Sequence, residues 1–164
     1  MNPTGLGPHA AGTEPQLVLR QATVADAEFA VQVIRTTMQG HVLRTWGHWN
    51  EPGVRERAIE DTGAGRTHII ELDGQAAGLF LVDERPTHTE LEQIFLLPAF
   101  QRRGLGTRLV RELMAKADRS GRTLRLQVLR VNPARFWYTQ LGLREVEQSD
   151  AFLVMAYDPP RSDP

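Results

Sequence analysis

Between residues 90 and 138 the sequence gathers groups able to hold an anionic ligand and to move a proton. Gln101-Arg102-Arg103-Gly104-Leu105-Gly106 lies between the apolar run Ile94-Phe95-Leu96-Leu97 and the helix-like run Thr107-Arg108-Leu109-Val110-Arg111-Glu112-Leu113-Met114. A strand that feeds a glycine turn and then opens straight into a helix collects free backbone N–H groups at the positive end of the helix dipole, which suits a phosphate or pyrophosphate. Two familiar phosphate loops are excluded. No Gly-x-x-x-x-Gly-Lys-Ser/Thr occurs, and the third glycine of a dinucleotide fingerprint would fall on Leu109. Upstream, Glu90 and Glu92 stand two apart on the strand that leads into the turn. Regular alternation would set both on the face of Ile94 and Leu96, where a carboxylate can take a proton from an attacking group. Downstream, Tyr138 offers a phenol that stays protonated at neutral pH and can therefore serve as an acid.

Other chemistries are poorly supplied. The chain has no cysteine, so thiolate nucleophiles, disulfides and Cys-ligated metals are excluded. His41, His48, His68 and His88 lack a metal-ligand spacing, and no metal is expected. A net charge of −1 over 164 residues argues against a nucleic-acid-coating protein. No apolar run approaches the roughly 18 residues of a membrane span, and Met1 to Gln16 does not resemble a secretion signal, so a cytoplasmic setting is expected.

The elements that must position these groups can be read from periodicity and punctuation. Residues 1–16 and 159–164 are rich in Pro, Gly, Ala and Thr or in prolines and read as tails around one domain over 17–158. Leu17-Val18-Leu19 reads as a strand, and Thr23 with Asp26 starts a helix to about Gln39. An irregular aromatic stretch, Gly40 to Gly53, precedes a helix over Glu51–Asp61. Strands follow at Thr67–Leu72 and Ala76–Val82, joined by an Asp73-Gly74 turn, and then at Glu90–Leu97. The helix after the glycine turn stops near Gly121. A strand at Leu124–Leu129 precedes Asn132-Pro133, which caps a short helix to Gly142, and two strands near Leu143–Glu147 and Ala151–Tyr157 close the chain. This order predicts an α/β (α+β) fold with one mixed sheet of six to seven strands and about four helices.

The run Gln101-Arg102-Arg103-Gly104-Leu105-Gly106 resembles the acyl-CoA signature of the GNAT superfamily of N-acyltransferases, Gln/Arg-x-x-Gly-x-Gly/Ala. Asn132-Pro133-Ala134-Arg135-Phe136-Trp137-Tyr138-Thr139-Gln140-Leu141-Gly142-Leu143 is similar to that family's downstream Asn-to-Tyr-to-Gly block, with Leu143 where phenylalanine is usual. The resemblance covers about residues 17–157. It implies a sheet splayed between its fourth and fifth strands, with acetyl-CoA in the gap as acyl donor and an amine as acceptor. Main-chain groups of Ile94, Phe95 and Leu96 would pair with the pantetheine arm. The N–H groups of Arg103, Gly104, Leu105, Gly106 and Thr107 would surround the pyrophosphate, with Gln101 and the guanidinium of Arg102 beside them. Asn132 would either cap its helix or touch the pantetheine, or do both. Tyr138 would protonate the departing thiolate, and Glu92, Glu90 or His88 would relay the amine's proton. Trp46, His48 and Trp49 would wall the acceptor pocket. Homodimers are common among relatives. The rival to an active N-acetyltransferase is a CoA-binding module of the same fold without turnover.

Overall fold

The computed structural model describes residues 14–161. The expected tails lie outside this range up to Thr13 and from Ser162 onward, while Gln16 exchanges hydrogen bonds with Asp73. Strand β1 (Leu17–Gln21) is followed by a 3-10 turn, then by helices α1 (Ala27–Trp46) and α2 (Glu51–Gly63). Strands β2 (His68–Leu72), β3 (Gln75–Glu84) and β4 (His88–Leu96) form a meander. Then come α3 (Leu105–Ser120), β5 (Thr123–Leu129), α4 (Ala134–Leu141) and the hairpin β6 (Arg144–Gln148) and β7 (Phe152–Tyr157). All seven strands join one sheet in the order β1-β2-β3-β4-β5-β7-β6, antiparallel except for the β4–β5 pair. The crossover through α3 makes that parallel pairing possible. No described helix is long and apolar enough to cross a membrane.

The sheet divides the core. Ile69, Leu79 and Phe95 pack with Val31, Val33 and Ala58 of α1 and α2 on one face. Leu91, Leu124, Leu126, Val128 and Met155 pack with Leu109 and Val110 of α3 and Tyr138 of α4 on the other. The amphipathic stripe of α3 is therefore wholly used on the second face.

Two local expectations change. Helix α1 does not stop near Gln39 but runs through Gly40 to Trp46. Its end is set by Gly47, which takes the left-handed conformation at φ 74° and returns its N–H to the Leu43 carbonyl. Trp46 thus sits on a helix rather than in an irregular stretch. The second change is a β-bulge. Leu81 of β3 faces Gln93 while its neighbour Val82 faces Leu91, so Glu92 is the extra residue on β4. An inserted residue reverses the alternation of side chains beyond it. Glu90 and Glu92 consequently lie on the α1/α2 face, whereas Ile94 and Leu96 pack into the α3/α4 core. They do not share a face as the unbroken spacing predicts.

Candidate active site

The fork between β4 and β5 organises the site. The two strands pair from His88↔Thr123 to Leu91↔Leu126 and no further, although β4 continues to Leu96 and β5 to Leu129. Past the bulge, β4 keeps its bonds to β3 on one edge and leaves the other without a strand partner. The N–H of Leu97 bonds the Ala77 carbonyl on β3. Alternation along the strand then turns the main-chain groups of Phe95 toward β3 and those of Ile94 and Leu96 into the gap. The carbonyl of Leu96 is already taken by the Gln101 side-chain amide at 2.8 Å. Ile94 therefore offers both of its main-chain groups, Leu96 its N–H alone, and Phe95 neither.

At the upper end of the gap the chain turns through Arg102 (φ 60°) and Gly104 (φ 76°), both left-handed, into the first turn of α3. The first helical bond there is Arg108 N–H to the Gly104 carbonyl. The N–H groups from Arg102 to Thr107 find no acceptor among the described residues. The two glycines are needed for different reasons. Gly104 supplies the left-handed turn, and a side chain there would project into open space, the space an anion needs. Gly106 admits Trp137, since a Cβ at Gly106 would stand 3.2 Å from the indole ring. The Trp137 indole also donates to the Thr107 hydroxyl at 3.1 Å and packs on Tyr138, with ring centroids 4.8 Å apart. Trp137 thus ties the glycine turn to the tyrosine. The sequence carries one signal for it, a second glycine with no turn to make. Arg102 makes no ion pair among the described residues, and Arg103 lies over the Phe100 ring. These donors, the bare turn and the half-open strand edge fit a diphosphate joined to an amide-bearing chain.

Tyr138, on the inward side of α4, is 7% exposed, and its hydroxyl makes no hydrogen bond to a described residue. Burial pushes the phenol well above its usual 10. The group is therefore a protonated donor over the whole physiological range. Asn132 accepts from the Ala134 N–H at 2.9 Å, which fills the capping role and leaves its amide nitrogen without a partner among the described residues.

The carboxylates of β4 differ sharply in company. Glu92 is ion-paired to Arg85 at 2.9 Å, Arg66 at 3.1 Å and Arg57 at 3.7 Å. Arg57 and Arg66 also grip Asp61, which is 2% exposed, and Arg66 and Arg85 reach Asp83. Among the described residues Glu90 meets only His88, whose Nε2 lies 3.0 Å from Oε2, while the His88 Nδ1 meets the Thr87 hydroxyl. The side chains of the expected aromatic wall each take a different partner. Trp46 stacks at 5.6 Å on Phe152 of the terminal hairpin. Trp49 gives its indole N–H to Glu51 at 2.7 Å, and His48 touches the Trp46 carbonyl. Arg35 and the Trp49 indole hold the Glu51 carboxyl down to about 2. No group of residues suited to a metal ion occurs among those described.

The sequence profile of the acetyltransferase (GNAT) family matches residues 35–143. Among solved structures, PaiA N-acetyltransferase of Thermoplasma acidophilum, crystallised with coenzyme A, superposes with a TM-score of 0.68 at 17% identity, over 87% of this chain and 99% of that one. An acetyltransferase of Thermus thermophilus gives 0.68 at 18% identity, over 87% and 96%. The ribosomal-protein-S18-alanine N-acetyltransferase of Escherichia coli gives 0.64 at 20% identity, over 90% and 97%. No curated protein sequence matches the chain significantly. With the profile spanning the fork, the glycine turn and Tyr138, the chain belongs to the GNAT acetyltransferase family and is an N-acetyltransferase that uses acetyl-CoA as acyl donor.

Proposed function

We propose that the protein transfers acetyl directly from acetyl-CoA to a primary amine, with Tyr138 as acid and Glu90 as the carboxylate that receives the amine's proton. The observation that carries this reading is the hydroxyl of the buried residue Tyr138, unpartnered among the described residues and carried on the helix that Trp137 ties to the glycine turn. The N–H groups of Arg103 to Thr107 hold the pyrophosphate, with Arg102 beside them. The free edge at Ile94 and the N–H of Leu96 pair with the amide-bearing arm, and Gln101 braces the β4 end rather than reaching for phosphate. Acetyl-CoA supplies an activated thioester at the fork. As the amine nitrogen bonds the acetyl carbon, the carbon–sulfur bond breaks and Tyr138 gives its proton to the sulfur. Glu90 takes the proton shed by nitrogen, directly or through a water, and passes it to solvent.

Glu90 is preferred to Glu92 because of their partners. A carboxylate shared among Arg57, Arg66 and Arg85 already has its lone pairs engaged, and its main effect is to hold the bulge that opens the fork. Glu90 has one oxygen on His88 and the other without a described partner. The test is CoA release from acetyl-CoA with a panel of amines, alongside calorimetric binding of acetyl-CoA. Binding without turnover across the panel would leave a silent module, and failure of acetyl-CoA to bind would sink the donor assignment as well.

A further inference from the structure

On the α1/α2 side of the sheet, beside β5, β7 and β6, the structure has a polar cavity of about 280 Å³ lined by His88, Arg125, Arg144, Glu147, Ala156 and Asp158 among others. Register explains why it is open. Arg125, Ala156 and Arg144 stand side by side across β5, β7 and β6, so the small Ala156 leaves room between two guanidinium stems. Glu90 is the next residue in the same row, opposite Arg125 on the neighbouring strand. Strands are about 4.8 Å apart, so these opposite charges could meet. They do not. Arg125 turns to Glu147 at 2.8 Å and Glu90 to His88.

We propose that this cavity is the acceptor's seat and that it selects a small amine that also carries a carboxylate, an amino-acid-like acceptor whose carboxylate binds Arg125 and whose amine points to Glu90. The proposal rests on the reading of Glu90 given above and adds the acceptor's chemistry to it. Three observations support it. An α-amino acid places its two charges a few ångströms apart, matching neighbouring strands that present a carboxylate and a guanidinium without joining them. Arg144 is paired with Asp158 and Arg125 with Glu147, whose side chains are 48% and 65% exposed. Such solvent-exposed pairs contribute little and give way readily to a bidentate ligand carboxylate. Finally, the cavity begins at the His88↔Thr123 end of the paired segment, three residues from the fork at Leu91↔Leu126. That is about 10 Å at strand rise, so donor and acceptor approach from opposite ends without competing for space.

The experiment compares matched probes, the protein amino acids against their α-amides, with spermidine as a polycation control. Both CoA release and calorimetric binding to the CoA-loaded protein are followed. At least one amino acid is expected to exceed its amide by about tenfold or more in kcat/KM, the scale of a hydrogen-bonded charge contact. Arg125→Gln should narrow that ratio to within about twofold, and Arg144→Gln should narrow it less. Should Arg125→Gln fold poorly, Arg125→Met serves in its place. Amides equal to or better than acids, a ratio unmoved in the Arg125 variant, or spermidine as the best acceptor would each overturn the proposal. If no amine turns over, the direct-transfer reading fails on its own, and the matched-pair binding still decides this one.

Discussion

The two sides of the β4–β5 fork are built from different materials. On the proposed donor side the candidate ligand groups are main-chain: the strand edge at Ile94 and the N–H cluster at the start of α3. Their positions follow from backbone angles and from one packing contact, Trp137 on Gly106. On the α1/α2 face the charged groups are side chains held by one another. Glu92 sits among Arg57, Arg66 and Arg85, while Glu90 leans on His88. A backbone site recognises one ligand feature, a diphosphate on an amide chain, and cannot be retuned by single substitutions without breaking the turn. A side-chain site can change its partner whenever one charge is replaced. The difference explains why a family can keep its donor while its acceptors diverge.

The largest effect should come from Tyr138→Phe. Removing a general acid typically costs about 10²–10⁴-fold in rate, and acetyl-CoA affinity should stay within about twofold because the donor contacts are main-chain. Steady-state kinetics with calorimetry separates the two, and equal losses in both would make Tyr138 a packing residue. The pH profile adds a sign. Burial raises the phenol pKa, so its protonated form persists above the usual 10, and no alkaline loss of kcat from Tyr138 should begin below about pH 10. The same shift means that burial of the neutral phenol supports folding below pH 10, and that this support is lost as the pH rises from 10 toward the elevated value.

Gly104→Val should act the other way round. A β-branched residue at φ 76° costs about 1–3 kcal/mol of strain, and its side chain enters the space left for the anion. Acetyl-CoA affinity should fall by about 10–100-fold, with kcat at saturation largely kept. Gly104→Ala should lose less. An unchanged dissociation constant in the valine variant would move the pyrophosphate away from this turn.

Smaller still is the effect of Glu92→Gln. Losing the charge shared by the three arginines should lower stability by about 1–3 kcal/mol, seen in denaturant unfolding, with a modest loss of turnover as the bulge loosens. Glu90→Gln should do the reverse and lower kcat with little change in stability. Swapped outcomes would make Glu92 the proton acceptor and Glu90 the anchor.

How far the sequence could disclose all this follows from the same contrast. Backbone devices leave local marks: the paired glycines at 104 and 106, the Asn132-Pro133 cap, the Asp73-Gly74 turn. These predicted the meander, α3, α4 and the donor turn. The charge cluster around Glu92 is assembled from α2, the α2–β2 loop, the β3–β4 loop and β4, so its arginines have no spacing to find. The bulge at Glu92 is likewise silent, because nothing in Glu90–Leu96 marks an inserted residue, and one residue is enough to send the glutamates to the opposite face. Gly40 and Gly47 compete as the end of α1. The helix continues through Gly40 at a cost of about 1 kcal/mol at most and stops at Gly47, the one of the two with a left-handed φ.

The aromatic segment gives the gentlest test of the acceptor side. Trp49 is tied to Glu51, which Arg35 also holds, whereas Trp46 reaches across to Phe152. Trp49→Phe removes a hydrogen bond to an ionised carboxylate and should lower the melting temperature by about 1–2 °C at neutral pH, the scale of one exposed bond in a domain of this size. The Glu51 carboxyl is depressed from 4.5 to about 2 in the folded chain, so the bond's contribution is present above pH 4.5 and fades as the pH falls toward 2. Melting curves of the two proteins should therefore converge on acidification. Trp46→Ala, by contrast, should leave that pH dependence untouched and change the KM for the amine. If Trp49→Phe changes the amine KM and Trp46→Ala does not, the acceptor lies against Trp49 and beneath the α1–α2 loop, away from the open face of β5, β7 and β6.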